Sequence, residues 1–299
     1  MIKWLIKKQD EAAVALIKKQ FGFCEAVARV LYNRGLTDKA SIESFFDIDI
    51  ANLHDPLLLA DMDKATARIR KAVANGEKIT VYGDYDVDGI TSVVVLYRYL
   101  TSVGAKVDYY IPDRTEEGYG LNTAALRSIY ESGTSLIVTV DTGTTAVEEI
   151  AEAEGYGLDV IVTDHHECKP TLPECIAVVN PKRPDSVYPY KELAGVGVVF
   201  KLVCALIGDG SKAFSLYGDL VAIGTIADIM PLVDENRVLV SLGLELLRKR
   251  PSCGIRALLE ASGGYKHGQI TASTIAFQVA PRINAAGRIG DPKQSVELL

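Results

Sequence analysis

The sequence predicts an α/β protein: a parallel β-sheet sandwiched by helices, with an N-terminal helical layer and a C-terminal helical extension. Three observations predict it. Short, β-branched apolar runs alternate with longer stretches of helical spacing. The runs are nearly continuous in apolar character, as in strands covered on both faces. Three of them, Ile79–Val81, Leu136–Val140 and Val160–Val162, lead directly into clusters of acidic or histidine residues. Successive parallel strands end on one edge of the sheet, and that edge is where sites form.

Taken in order, residues 11–34 carry helical spacing at Val14, Ile17, Phe21, Val27, Val30 and Leu31, which Gly35 stops. Leu36–Phe46 suggests another short helix. Asp55-Pro56 marks a turn, and Met62–Ala74 resumes helical spacing up to Asn75-Gly76. Strands are then expected at Ile79–Tyr82, Val107–Ile111, Ser135–Val140, Asp159–Val162 and Ile176–Val179. Helices are expected at Ile90–Val103, Asn122–Glu131, Thr145–Glu154 and Val196–Leu206. Beyond residue 210 only helical patterns follow: Phe214–Ile226, Val238–Arg248, Ile255–Ser262 and Ala272–Val279. The expected domains are a helical region over 1–50, an α/β catalytic domain over 51–232 and a helical connecting region over 233–299. Ser295–Leu299 ends the chain inside a helical pattern, so the expectation is a truncated chain.

Composition narrows the class. The 299 residues carry a formal charge of −7, so nucleic-acid binding would need a local basic patch. Five scattered cysteines without a Cys-x-x-Cys pair favour reduced thiols. Cys168, two residues after the histidine pair, is a weak ligand candidate beside oxygen-rich clusters. Met1–Lys8 is too charged for a signal peptide. No apolar stretch approaches the roughly 20 residues of a membrane span. A cytoplasmic protein is expected.

The clusters are Asp84-Tyr85-Asp86-Val87-Asp88-Gly89, Asp141-Thr142-Gly143, Asp164-His165-His166 and Ala227-Asp228. Helix capping accounts for one aspartate of the first cluster, Asp88 being the natural candidate, but not for three. If the segment stays extended, Asp86 and Asp88 share a side and could hold different ions of a pair. An EF-hand is excluded, because the twelfth position is Val95 rather than Glu. Asp141 by itself could be a turn residue; it gains weight by repeating the first cluster's position. Adjacent histidines are expected to point apart, with His165 the favoured ligand and His166 either supporting the ligands from behind or contacting a substrate phosphate. Asp228 reads equally as a turn residue or an inward ligand. The carboxylates of Asp86, Asp88, Asp141 and Asp228 balance two divalent ions, and carboxylates with one imidazole suit Mn²⁺ or Mg²⁺. Such a pair serves phosphoester hydrolysis. Arg282-Ile283-Asn284-Ala285-Ala286-Gly287-Arg288 is either a phosphate clamp or a solvated turn between helices. Gly195-Val196-Gly197 lacks the rest of a dinucleotide fingerprint.

Together, Asp86-x-Asp88, Asp141, Asp164-His165-His166 and Asp228 resemble the DHH phosphoesterase superfamily. Gly83–Gly89, Gly195–Lys201, Ala227–Leu232 and Arg282–Arg288 resemble its branch of single-strand-specific DNA exonucleases. The resemblance implies 5′-to-3′ release of mononucleotides from single-stranded DNA with two Mn²⁺ or Mg²⁺ ions, in repair and recombination alongside their proteins. It implies Asp86, Asp88, Asp141, His165 and Asp228 as ligands, Asp84 as an additional candidate, and His166 at the scissile phosphate. Arg282, Asn284 and Arg288 become substrate contacts. Two departures stand out. Tyr82 occupies a position where many members carry histidine, and neither the branch's Gly-Gly-His element nor its OB-fold occurs before residue 299. The competing readings are a phosphodiesterase for short oligonucleotides or cyclic dinucleotides, and a catalytically silent scaffold.

Overall fold

The computed structural model describes residues 8–113, 117–118, 120–263, 269–289 and 291–299, the side chains of 288 and 289 excepted. The chain forms two compact units, one ending at Asp49 and one spanning Ile50–Leu299.

The first unit holds α1 (Glu11–Phe21), α2 (Glu25–Asn33) and α3 (Lys39–Phe46) around Val14, Ile17, Ala28, Leu31 and Ile42. The helical pattern expected over 11–34 is broken in two. Gly22 takes left-handed backbone at φ 68° and returns its N–H to the Lys18 carbonyl, ending α1. Asp38 caps α3 by accepting the Ser41 N–H, so that helix starts later than its apolar pattern.

The second unit opens with α4 (Met62–Asn75) and then alternates: β1 (Lys78–Gly83), α5 (Val87–Ser102), β2 (Lys106–Tyr110), α6 (Thr123–Glu131), β3 (Leu136–Val140), α7 (Val147–Gly155), β4 (Asp159–Thr163) and β5 (Ala177–Val179). All five strands are parallel, in the order β2-β1-β3-β4-β5. Side-chain alternation explains why β1, β3, β4 and β5 are largely apolar on both faces, whereas edge strand β2 keeps its side chains partly exposed. Ile79, Val81, Leu136, Val138, Val140 and Ile161 enter the core shared with α4 and α5. Tyr82, Ile137, Val160 and Val162 enter a second core beneath α6 and α7.

Helices complete the first face: α8 (Gly195–Ile207), α9 (Gly210–Ala227), α10 (Asp234–Lys249), α11 (Cys253–Ala261), α12 (Ala272–Thr274), α13 (Ala280–Ile289) and α14 (Lys293–Leu298). Residues 233–299 share the sheet's core through Leu239, Ile255, Ile275 and Ile283. A π-helical turn, Ile275–Val279, joins α12 to α13. Pro281 lies just beyond it and has no N–H to continue the ordinary ladder, which accounts for the widened turn. The Arg282–Arg288 segment is therefore helical, where a solvated turn was one of the two expectations. No described helix is long and apolar enough to cross a membrane.

A buried ion pair holds α8 to α10. Lys201 is 1 % exposed and pairs with the fully buried Glu235. Its ammonium also donates to the His54 carbonyl at 2.7 Å. Glu235 accepts the His54 N–H at 2.8 Å and the Tyr188 hydroxyl. Every charge is compensated, and removing one partner leaves the other desolvated and alone. Lys201→Met is expected to cost about 3 kcal/mol or more in urea unfolding, with the m-value unchanged. A loss under about 1 kcal/mol would show that the pair contributes little.

Candidate metal centre

In an open sheet of order 2-1-3-4-5 the strand order reverses between β1 and β3, and the crevice forms outside their carboxyl ends. Asp84–Asp88 leaves β1 and Asp141 leaves β3, so the topology brings the first two clusters to that point.

Asp86 is the N-cap of α5. Its backbone is extended, at φ −82° and ψ 179°, and its carboxylate accepts the Gly89 N–H at 3.0 Å. The capping role expected of Asp88 thus falls to Asp86, and the segment does not stay extended. Asp88 lies in the first helical turn and is 1 % exposed. Its two oxygens accept the Gly195 N–H at 2.7 Å and the Val196 N–H at 2.9 Å. These are first-turn donors of α8, whose cap residue Ala194 offers no side-chain acceptor. Asp88 therefore caps α8 from another element.

Asp141 continues the β3–β4 ladder, its N–H donating to the Thr163 carbonyl at 3.0 Å, and then turns at φ 59°. Left-handed backbone is uncommon outside glycine, and aspartate is among the residues that tolerate it. Its Oδ1 is buried without a hydrogen-bond donor among the described residues. A Cβ at Gly195 would lie 2.4 Å from that oxygen, and one at Gly224 would lie 2.4 Å from Thr91 Oγ1 and 2.9 Å from Asp88 Oδ1. Only glycine leaves room for both carboxylates.

Beyond β4, Asp164 Oδ1 accepts the His165 N–H at 2.7 Å, the His166 N–H at 3.1 Å and contacts His166 Nδ1 at 2.7 Å. Its Oδ2 accepts the Thr144 N–H at 2.9 Å. This folding of the backbone around one carboxylate overrides strand alternation. The two imidazoles lie side by side, ring centres 4.6 Å apart, rather than pointing apart as expected. His165 Nε2 stands 3.1 Å from Asp141 Oδ1, 3.6 Å from Asp228 Oδ2 and 3.8 Å from Asp88 Oδ2.

Ligand-type atoms converge, each within 4.8 Å of the others, in three overlapping groups: Asp84, Asp86 and Asp141; Asp88, His165 and Asp228; and Asp141, His165 and His166. Asp86 and Asp88 thus fall in different groups. Asp84 joins the cluster, whereas Tyr82 turns to the opposite face, stacks on Tyr110 and donates to the Gly120 carbonyl at 3.0 Å. A cavity of about 40 Å³ is lined by Asp86, Val87, Asp88, Ala227, Asp228 and Asn284. Asn284 is thereby at the site. Arg282 is exposed and donates to the Gln278 carbonyl of its own helical segment at 2.6 Å. The side chain of Arg288 lies outside the described residues. A larger cavity of about 430 Å³ sits at the other end of α8, near His54, Lys201 and Asp209, away from the three groups.

Sequence reasoning missed the supports. Asn180 is fully buried; its amide donates to Thr144 Oγ1 and to the His166 carbonyl, both at 3.0 Å, tying the end of β5 to two of the clusters. Asn-Pro after a strand reads simply as a turn.

The electrostatics match a cation site. Burial, then repulsion from Asp228 and Asp86, pushes Asp88 well above the usual carboxylate range. Burial, then Asp88 and the other aspartates, does the same to Asp141. Burial and Asp86 push Asp228 up to about 6. Burial and the neighbouring His166 charge lower His165 to about 4, leaving its imidazole neutral with a lone pair to give. Burial also opposes ionisation of Asp164, but the His166 hydrogen bond and charge and the backbone donors outweigh it and hold Asp164 at about 2. That same hydrogen bond raises His166. Neighbouring ligands of one octahedral ion bound at about 2.1 Å lie about 3 Å apart, close to the His165–Asp141 separation. Five carboxylates with a neutral imidazole fit hard divalent ions.

Two outcomes follow for the metal-free chain. Asp228 has a folded pKa above its unfolded one, so the stability of its protonated form is lost as pH rises through about 6. A cation replaces the proton. Mn²⁺ at about a hundredfold excess over its Kd is expected to raise the melting temperature by about 5–8 °C at about pH 7.5. The rise should shrink toward about pH 5 as the raised carboxylates of Asp88, Asp141 and Asp228 take up protons, and Asp228→Asn should weaken that dependence. Asp141→Asn should melt higher than the parent without metal and lose most of the Mn²⁺ response. A pH-independent Mn²⁺ shift, or an unchanged shift in Asp141→Asn, would contradict this site.

Residues 78–225 match the DHH family, N-terminal domain. The chain is 47 % identical over 298 residues to the single-stranded-DNA-specific exonuclease RecJ of Bacillus subtilis, covering 100 % of this chain and 37 % of that protein. The crystal structure of an exonuclease RecJ bound to manganese superposes with a TM-score of 0.72 at 40 % identity, over 81 % of this chain and 61 % of that one. RecJ from Thermus thermophilus in complex with Mn²⁺ gives a TM-score of 0.79 at 34 % identity, over 96 % of this chain and 41 % of that one. The chain thus spans little more than a third of the length of its Bacillus relative. It belongs to the DHH family.

Proposed function

We propose that this chain is the catalytic portion of a divalent-cation-dependent exonuclease that removes mononucleotides from the 5′ end of single-stranded DNA. The observation that carries the reading is the convergence of Asp88, Asp141 and Asp228 on the neutral His165 imidazole at 3.1–3.8 Å. In this reading Asp88, Asp141, His165 and Asp228, with Asp86 and Asp84, hold two ions, Mn²⁺ or Mg²⁺. The bound ions supply positive charge to the phosphate and to the departing oxygen. Hydrolysis breaks one P–O bond and adds water across it.

The chain's own groups do the remaining work. His166, hydrogen-bonded to Asp164, is kept protonated more readily than an ordinary histidine and offers a donor to a phosphate oxygen. Asn284 lines the same cavity and offers an amide donor. Arg282 and Arg288, on the same helix as Asn284, are proposed to meet the strand's other phosphates. That its relatives are single-stranded-DNA-specific exonucleases, one of them crystallised with manganese, supports the reading. A cytoplasmic location follows from it, supported by five free cysteines. So does work alongside repair and recombination proteins.

The test is hydrolysis of a 5′-labelled single-stranded oligonucleotide with Mn²⁺. Labelled mononucleotide should appear, and Asp141→Ala should slow it by at least about a thousandfold. Asn284→Ala should lower kcat/KM by about tenfold. Release confined to dinucleotides would favour the short-oligonucleotide alternative. Mn²⁺ binding without release from any strand would overturn the exonuclease reading.

A further inference from the structure

Helix α9 ends against the preference of its own sequence. The Ile229 N–H donates to the Ile226 carbonyl at 3.2 Å and the Met230 N–H to that of Thr225 at 3.4 Å, the pairing of a Schellman motif. That motif wants left-handed backbone just past the cap, where glycine is usual. Here the residue is Ile229 at φ 59°. A β-branched side chain rarely adopts that conformation. Packing returns nothing, because Ile229 is 88 % exposed.

The segment that follows is fixed from behind. The Pro231 carbonyl accepts the Tyr190 hydroxyl at 3.0 Å and the buried Asn236 amide at 3.1 Å. Leu232 and Val233 are 38 % and 45 % exposed. A tethered loop thus offers three large apolar side chains to solvent, beginning at the residue next to Asp228. A residue that costs stability without gaining contacts is expected where function demands it.

We propose that Ile229, with Leu232 and Val233, forms an apolar platform for the unpaired nucleobases of the strand whose phosphate reaches the Asp228 site. The proposal rests on the exonuclease reading. Each nucleotide of a single strand pairs a charged phosphate with a flat, exposed base face, and this loop begins its apolar exposure at the residue next to Asp228. A duplex keeps those faces stacked inside, so the platform favours single strands. It touches faces rather than hydrogen-bonding edges, so it is indifferent to sequence.

The experiment compares kcat/KM with Mn²⁺ on a 5′-phosphorylated oligothymidylate and on an abasic tetrahydrofuran strand of equal length and charge. The parent chain should prefer the thymidylate by about tenfold, and Ile229→Gly should bring that ratio close to one. The same substitution should raise the melting temperature by about 2 °C, since glycine accepts the left-handed turn. A thymidylate preference unchanged in Ile229→Gly overturns the platform, as does a lower melting temperature. A concentration-dependent dimer that Ile229→Gly dissociates overturns it too, by assigning the surface to a second copy of the chain. Failure of the parent to hydrolyse either strand overturns the exonuclease reading itself, and the platform with it.

Discussion

The Asp88 carboxylate meets the first-turn N–H groups of α8 with both oxygens while facing His165 and Asp228. Its orientation is set by backbone donors rather than by rotamer preference, so it cannot swing without uncapping a helix. The same helix carries Lys201, whose pairing with Glu235 ties it to α10. The position of the candidate centre is thereby linked to buried polar contacts well away from the sheet edge. Asp141, the turn at Asp228 and the His165 ring are all arranged around this fixed point.

Without a cation the arrangement works against itself. Burial and mutual repulsion oppose the charges of Asp88, Asp141 and Asp228, while Asp141 and Ile229 both hold left-handed backbone at the cluster's edge. Glycines at 195 and 224 give up side-chain packing to admit the carboxylates. Stability elsewhere compensates: a five-stranded sheet with both faces buried and a helical layer sharing its core. Residues that lower the stability of the metal-free fold are concentrated where chemistry is expected.

Much of this was legible in the sequence because parallel strands are constrained twice, by burial on both faces and by a shared end. All five strands lie where the apolar runs predicted them, and the four clusters meet as expected. Capping details were not legible, since Asp86 and Asp88 are chemically identical and only the start of α5 distinguishes them. The convergence of His165 and His166 depends on Asp164 gathering three donors, which no periodicity encodes. Asn180 gave no sequence signal, because its partners, Thr144 and His166, are distant in the chain. The helical state of Arg282–Arg288 goes with the packing of Ile283 into the core, which the residue types of the segment alone left undecided.

The strand order has a consequence for how the molecule comes into being. Each parallel pairing requires a long crossover, and such distant contacts close slowly. The two chain-distant members of the central group, Asp88 and Asp228, cannot meet until the sheet is assembled and α9 has docked on α5 and α8. During synthesis the group of Asp88, His165 and Asp228 would therefore stay incomplete until about three-quarters of the chain has been made, although the other two groups draw only on residues up to His166. The full set of ligands would be complete only after α9 has docked, which makes the cation affinity of that last group a reporter of late folding.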